Sequence, residues 1–163
     1  MMNKRLTRAL LILYTLPWGM QCLVNNFMSV YVASLPFTTE QTVGSIMAFG
    51  SAVTILSQLV WAKIAYRSKN RFNVLALSFL LIVLFSIPFI CLNMNLPILC
   101  VAVFLFYFCF MVHQPLIDSI ASENADKLIY PFGAVRSFAS FGFALAGLIL
   151  GVVGFKSAKD IFY

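Results

Sequence analysis

Apolar positions along this chain fall into five long runs, each closed by a short polar stretch. The runs cover about 9–32, 43–65, 72–92, 96–120 and 132–155. Crossing roughly 30 Å of bilayer hydrocarbon takes about 20 helical residues, and every run is long enough. Backbone polar groups in lipid must be satisfied within the segment, so each run predicts a transmembrane helix. After the fifth run, "KSAKDIFY" reads as a loop and the first residues of a sixth helix. The first and third connections are short, so helices one to four are expected to pack as antiparallel neighbours. The predicted class is an all-α membrane protein with a single membrane domain over 1–163.

Composition agrees with the pattern. Of 163 residues, 62% are hydrophobic and 10% charged, and the mean hydropathy is +0.96. A soluble domain of this size needs far more surface charge, so the surplus of Phe, Leu, Ile and Val must face the lipid bilayer. The N-terminus resembles a signal peptide, with a charged start and an apolar stretch. The apolar character continues to about Val32 with no small-x-small cleavage site, which predicts a retained first helix. Cys22, Cys91, Cys100 and Cys109 lie inside apolar runs at spacings that fit no zinc or redox motif. They read as free thiols acting as small hydrophobes, and neither a metal site nor a resident cofactor is expected.

A net charge of +6 does not imply nucleic acid, because the basic residues cluster at the ends of apolar runs. Lys4, Arg5 and Arg8 precede the first helix, Lys63, Arg67, Lys69 and Arg71 follow the second, and Lys127 and Arg136 follow the fourth. These nine lie on one side, and Lys156 and Lys159 lie on the other. By the positive-inside rule the N-terminus is expected in the cytoplasm, in a multi-pass protein of the cell membrane.

Small residues recur at helical spacing. Ser140, Ala144, Gly147 and Gly151 fall on one face of the fifth helix, and Gly44, Ala48 and Ala52 on one face of the second. Both stripes are expected to let helices pack closely in lipid. Polar stripes occur as well. Trp18, Gln21, Asn25 and Ser29 share a face of the first helix, just after Pro17 and Gly19, which can bend it. Ser51, Thr54 and Gln58 share a face of the second. An amide in hydrocarbon is costly without a partner, so these faces should turn away from lipid, either lining a wet cavity or bonding one helix to another.

Two charges sit inside the oil near a shared loop. Asp118 lies five residues before Glu123, and Arg136 six residues after Tyr130. Antiparallel helices joined at that loop put both side chains at similar depth. Unpaired, each would cost about 2.5–3.5 kcal/mol at the bilayer centre, and pairing removes much of that. Ser140 and Phe143 follow Arg136 on the same face, and Gln114 lies one turn before Asp118. An acid, a base, an amide, a hydroxyl and a ring can thus converge. A carboxylate with a guanidinium fork offers acceptors and donors to a sugar hydroxyl, and a ring offers a flat face. The other reading is a salt bridge that clips two helices, with Arg136 snorkelling to the headgroups. His113, the only histidine, lies about 140° around the helix from Asp118. It can relay protons or make a helix–helix hydrogen bond. With neither HExxH nor GxSxG present, no enzyme and no catalytic residue is expected.

The stretch "FGAVRSFASFGFAL", 132–145, resembles the start of the fifth helix in the lactose permease-like, sugar–proton symporter branch of the major facilitator superfamily. The branch shows Gly-x-x-Arg, an aromatic, a small residue and a Gly–aromatic pair. The acid of "PLID" stands 18 residues before the arginine, as in the family. "TVGSI" at the start of the second helix is similar too. The resemblance implies the N-terminal half of a twelve-helix transporter, with the C-terminal half as a missing partner and a proton as coupling ion. It implies that Asp118 accepts from, and Arg136 donates to, the hydroxyls of a small polar solute such as a saccharide. Ser140 would lie close to the sugar and Phe143 would stack on it, where the best-known members have Trp. Gln114, Asn25, Gln21 and Trp18 complete the expected solute-binding set. Nucleosides are rival solutes, since related branches share the arginine motif. A non-transporting membrane subunit or degraded gene product is the alternative, with Asp118–Arg136 a structural clip. One departure concerns the second connection, where the superfamily's Gly-x-x-x-Asp is replaced by Ala62 and Tyr66. In the family this acid helps lock the two halves, so ordinary gating is not implied.

Overall fold

The computed structural model describes residues 3–91 and 94–153, and no strand occurs among them. The helices are α1 (Lys4–Ala33), α2 (Glu40–Arg67), α3 (Arg71–Cys91), α4 (Leu96–Phe110), α5 (His113–Glu123) and α6 (Phe132–Val153), with a short 3-10 turn at Ala125–Lys127. The all-α membrane class is as expected. Glu40–Arg67, Arg71–Cys91, Leu96–Glu123 and Phe132–Val152 are long and apolar enough to cross a bilayer. α1 has 30 residues, enough length to span, but carries Gln21, Asn25 and Asn26 in its middle. The expected ends at 92 and 155 and the start of a sixth helix lie outside the described residues.

Two compact units form among the described residues, one from residues up to Asn26 and 117–153, the other from Phe27–Leu116. α1 and α5 contribute to both.

In the second unit α4 packs against both α2 and α3. Thr39 caps α2 by accepting from the Thr42 N–H, and Asn95 caps α4 by accepting from the Ile98 N–H. Gly50 presses on the ring of Tyr107, at 3.3 Å from a Cβ placed there. Trp61 Nε1 donates to the Phe108 carbonyl at 2.9 Å, and Tyr31 Oη donates to the Phe89 carbonyl at 3.0 Å. Phe89 lies in the last turn of α3, where carbonyls have no helical partner, so the phenol satisfies a buried orphan. Rings run through this core from Tyr31 to Phe89 (5.8 Å), Phe106 (5.7 Å) and Phe110 (5.0 Å).

One helix was expected over 96–120; the structure breaks it after Phe110. Pro115 is the cause. Its ring clashes with the carbonyl four residues back, at Met111, and it donates no hydrogen bond there. The broken end is satisfied by side chains, with Trp61 on the Phe108 carbonyl and the His113 ring on the Phe110 carbonyl.

In the first unit Asn3 caps α1, accepting from the Leu6 N–H at 3.1 Å. The cap is tied to the loop before α6: Asn3 N–H donates to the Lys127 carbonyl at 2.8 Å, and the Ile129 N–H donates to Thr7 Oγ1 at 3.2 Å. Val135, Ala139 and Gly142 form the buried face of α6, and Gly142 meets α1. At Gly142 the backbones almost touch, since a Cβ there would sit 2.1 Å from the Thr15 carbonyl oxygen.

This corrects the expected packing stripes in part. Ser140, Ala144, Gly147 and Gly151 are exposed, as are Gly44, Ala48 and Ala52. The buried faces are 135/139/142 on α6 and Ile46, Gly50, Val53, Ser57, Trp61 and Ala65 on α2. On α6 the buried face lies about one residue, 100°, from the small stripe, although Gly147 still meets α1, where an added Cβ would lie 3.6 Å from Cys22 Sγ. Large apolar side chains such as Leu59, Leu80, Phe141 and Leu148 stand exposed, as lipid contact requires.

Gly142→Ala is expected to lower stability by about 1–3 kcal/mol, because backbone blocks the added methyl. Gly151→Ala, with open space around it, should be neutral or stabilising. Thermal unfolding of the detergent-purified protein measures both; equal melting temperatures for the two variants would refute the close α1–α6 contact.

Candidate functional site

Three helices of the first unit converge on one carboxylate. Tyr14 Oη on α1 donates to Asp118 Oδ1 on α5 at 2.7 Å. Arg136 Nη2 on α6 lies 3.5 Å from Asp118 Oδ2. The Gly142–Thr15 approach seats α6 on α1 next to Tyr14, and the loop tied to Asn3 and Thr7 holds the α5–α6 turn. Each oxygen of the carboxylate therefore faces a different donor.

Exposure differs across the three. Tyr14 is fully buried, while the Asp118 and Arg136 side chains are 31% and 59% exposed. The phenol is thus a fixed internal donor, and the guanidinium is the open member. A single 3.5 Å approach uses little of a five-donor fork, so Arg136 keeps donors for another acceptor. Asp118 keeps lone pairs in the same way. Trp18 stacks obliquely on Tyr14, with ring centroids 5.3 Å apart and planes at 41°.

Ser140 and Phe143 stand exposed on α6, at helical steps from Arg136 that put them on its face. On α1, Trp18 and Gln21 are half-buried and Asn25 is exposed; Gln114 is half-buried, one turn before Asp118 on α5. The α2 stripe needs no cavity for its hydroxyls. Ser51 donates to the Met47 carbonyl and Thr54 to the Gly50 carbonyl, each at 3.0 Å within the helix. His113 is buried, bonded to the Phe110 carbonyl between the rings of Phe79 and Phe110.

Tyr14 was not among the expected site residues. Its signal was spacing: Tyr14, Trp18, Gln21 and Asn25 fall at i, i+4, i+7 and i+11 and extend the polar stripe one turn back. A phenol inside an apolar run reads as one more aromatic until its partner is seen.

Residues 8–157 match the model of the MFS_1 like family. The chain belongs to this family. Membership places it in the major facilitator superfamily and points to a transporter rather than an enzyme, in a multi-pass membrane protein. No curated protein and no solved structure matches the chain.

In this major facilitator chain, Tyr14→Phe should cost about 1.5–3 kcal/mol, the worth of a hydrogen bond to a charged acceptor. Asp118→Asn in the same background should add less than it does alone, because both changes remove one interaction. Melting temperatures of the four proteins in the cycle measure the coupling. Strict additivity would mean that the phenol and the carboxylate do not interact.

Proposed function

We propose that the chain is part of a secondary transporter that takes up a small polar solute, a saccharide in the first instance, with protons as the driving ion. The reading places it in the lactose permease-like branch, in the cell membrane with a cytoplasmic N-terminus. Asp118 accepts from solute hydroxyls and Arg136 donates to them, while Ser140, Phe143, Trp18, Gln21, Asn25 and Gln114 line the approach. Transport follows alternating access, with this bundle rocking against a second helical half around a midplane site.

The supporting observation is that Arg136 is 59% exposed although it pairs with Asp118. A guanidinium facing hydrocarbon is expensive, so its face belongs to water and to a partner half rather than to lipid. An open cation beside a carboxylate already held by a buried phenol can let a solute come between them, because the acid keeps one donor when the guanidinium turns away.

A second reading rests on the same contacts. Tyr14, Asp118 and Arg136 tie three helices, as a clip would in a non-transporting subunit. A nucleoside in place of a saccharide would use the same donors and acceptors.

The test is labelled-solute uptake by proteoliposomes holding the chain together with a C-terminal helical half. Arg136→Ala should lower uptake about tenfold or more, with melting temperature moving far less than for Gly142→Ala, and Asp118→Asn should lower uptake as far, with a melting-temperature loss no larger than that of Tyr14→Phe. Unchanged uptake would remove both residues from the site. Uptake that falls only in step with melting temperature would favour the clip.

A further inference from the structure

We infer that Trp18, not Phe143, is the ring on which the pyranose of the solute stacks. The inference rests on the reading of Asp118 and Arg136 as the solute site, and it names the apolar half of that site. Donors and acceptors hold a sugar by its hydroxyls, but one face of a pyranose carries mostly C–H bonds. Those bonds meet the electron-rich face of an aromatic ring well, provided that the ring stands beside the polar pair. Two rings of the expected set compete for this role, Trp18 on α1 and Phe143 on α6. Tyr14 is fully buried and has no face to offer.

Thr15, Gly19 and Cys22 form the edge of α1 that meets α6. Gly142 closes on the Thr15 carbonyl, a Cβ at Gly19 would lie 3.5 Å from Ala146 Cβ, and one at Gly147 would lie 3.6 Å from Cys22 Sγ. Tyr14 and Trp18 each stand one residue before a member of that edge, about 100° round the helix. Tyr14 reaches Asp118 on α5 at 2.7 Å, so this second edge of α1 borders the carboxylate. Trp18 lies one turn further along the same edge, and helical side chains lean toward the N-terminus. Its ring accordingly folds back onto Tyr14, with centroids 5.3 Å apart. One ring alone links the indole to the Asp118 carboxylate. Trp18 is half-buried, braced by a phenol that is itself fixed from both sides. A braced platform has little freedom left to lose when a solute settles on it. Phe143 stands differently. It lies seven residues, about 10 Å, beyond Arg136 along α6, with Ser140 in the turn between. At 37% exposed it flanks the approach, while Trp18 backs the polar pair.

The full chain with its C-terminal helical half in proteoliposomes tests this, with methyl galactosides and methyl glucosides as probes. Hydroxyl-radical oxidation of Trp18, read by peptide mass spectrometry, should slow several-fold when a transported pyranoside saturates the protein. Trp61, the other tryptophan of the chain, is 3% exposed and should not respond. W18A should raise the KM for uptake about tenfold, W18F should recover part of that loss, and F143A should raise KM less than W18A does. The melting temperature of W18A should fall no further than that of Y14F. If W18A is too unstable to purify, protection of Trp18 in the native chain carries the same information. A Trp18 that oxidises equally fast with and without pyranoside would overturn the assignment. So would a larger KM effect at Phe143 than at Trp18, or a native chain that takes up none of these pyranosides. In the first two cases, uptake that still depends on Arg136 would leave the solute site itself standing. Uptake indifferent to Arg136→Ala would take down that site as well.

Discussion

The carboxylate of Asp118 is the charge around which the first unit is organised. It lies within a span that a bilayer surrounds, and an ionised acid there is tolerable only with donors on both oxygens. Tyr14 supplies one from a fully buried position and Arg136 supplies the other from an exposed one. The three groups come from three helices, so satisfying one acid fixes how α1, α5 and α6 meet. The rest of the unit serves that meeting. Gly142 lets α6 approach the backbone of α1, and the Asn3 and Thr7 bonds anchor the loop that returns the chain from α5 to α6.

The two donors are unequal, and the proposed solute site rests on that inequality. A structural ion pair gains most when both partners are enclosed and fully bonded. Here the enclosed donor is neutral and the charged donor is open. The phenol can hold the carboxylate in place while the guanidinium exchanges partners. Solute binding in a membrane transporter needs such a group, polar enough to recognise hydroxyls and free enough to release them. Membership of the MFS_1 like family supplies the class, a transporter.

Much of the architecture was legible as length and hydropathy. Four of the expected runs coincide with observed spans, and the described ends differ by a few residues because polar residues such as Glu40 and Arg67 can extend a helix into the headgroups. The meeting of Asp118 and Arg136 was legible too, from equal distances to a shared loop. Three features emerge only in the folded structure. Pro115 stood in plain sight inside an apolar run, but a proline in a transmembrane helix can bend it or break it. Broken here, the helix leaves carbonyls that Trp61 and His113 take up. The packing faces of α2 and α6 were misassigned because small residues occur on two adjacent stripes, and only the contact partner decides between them. For α6 that partner is the Thr15 carbonyl, to which nothing in the α6 sequence points. Tyr14 was missed because apolar runs contain many aromatics, and its hydroxyl matters only opposite an acid 104 residues away.

The central claim is that Arg136 opens onto water and shares a solute with Asp118. Guanidinium-selective chemical modification of Arg136 tests it most directly, applied from the aqueous phase to the chain in proteoliposomes with its partner half and followed by peptide mass spectrometry. The account predicts that Arg136 reacts, and that a bound saccharide or nucleoside slows the reaction while leaving Arg67 unaffected. An Arg136 that stays inert to the aqueous reagent, or one that reacts equally fast at saturating concentrations of every polar solute tried, would contradict it.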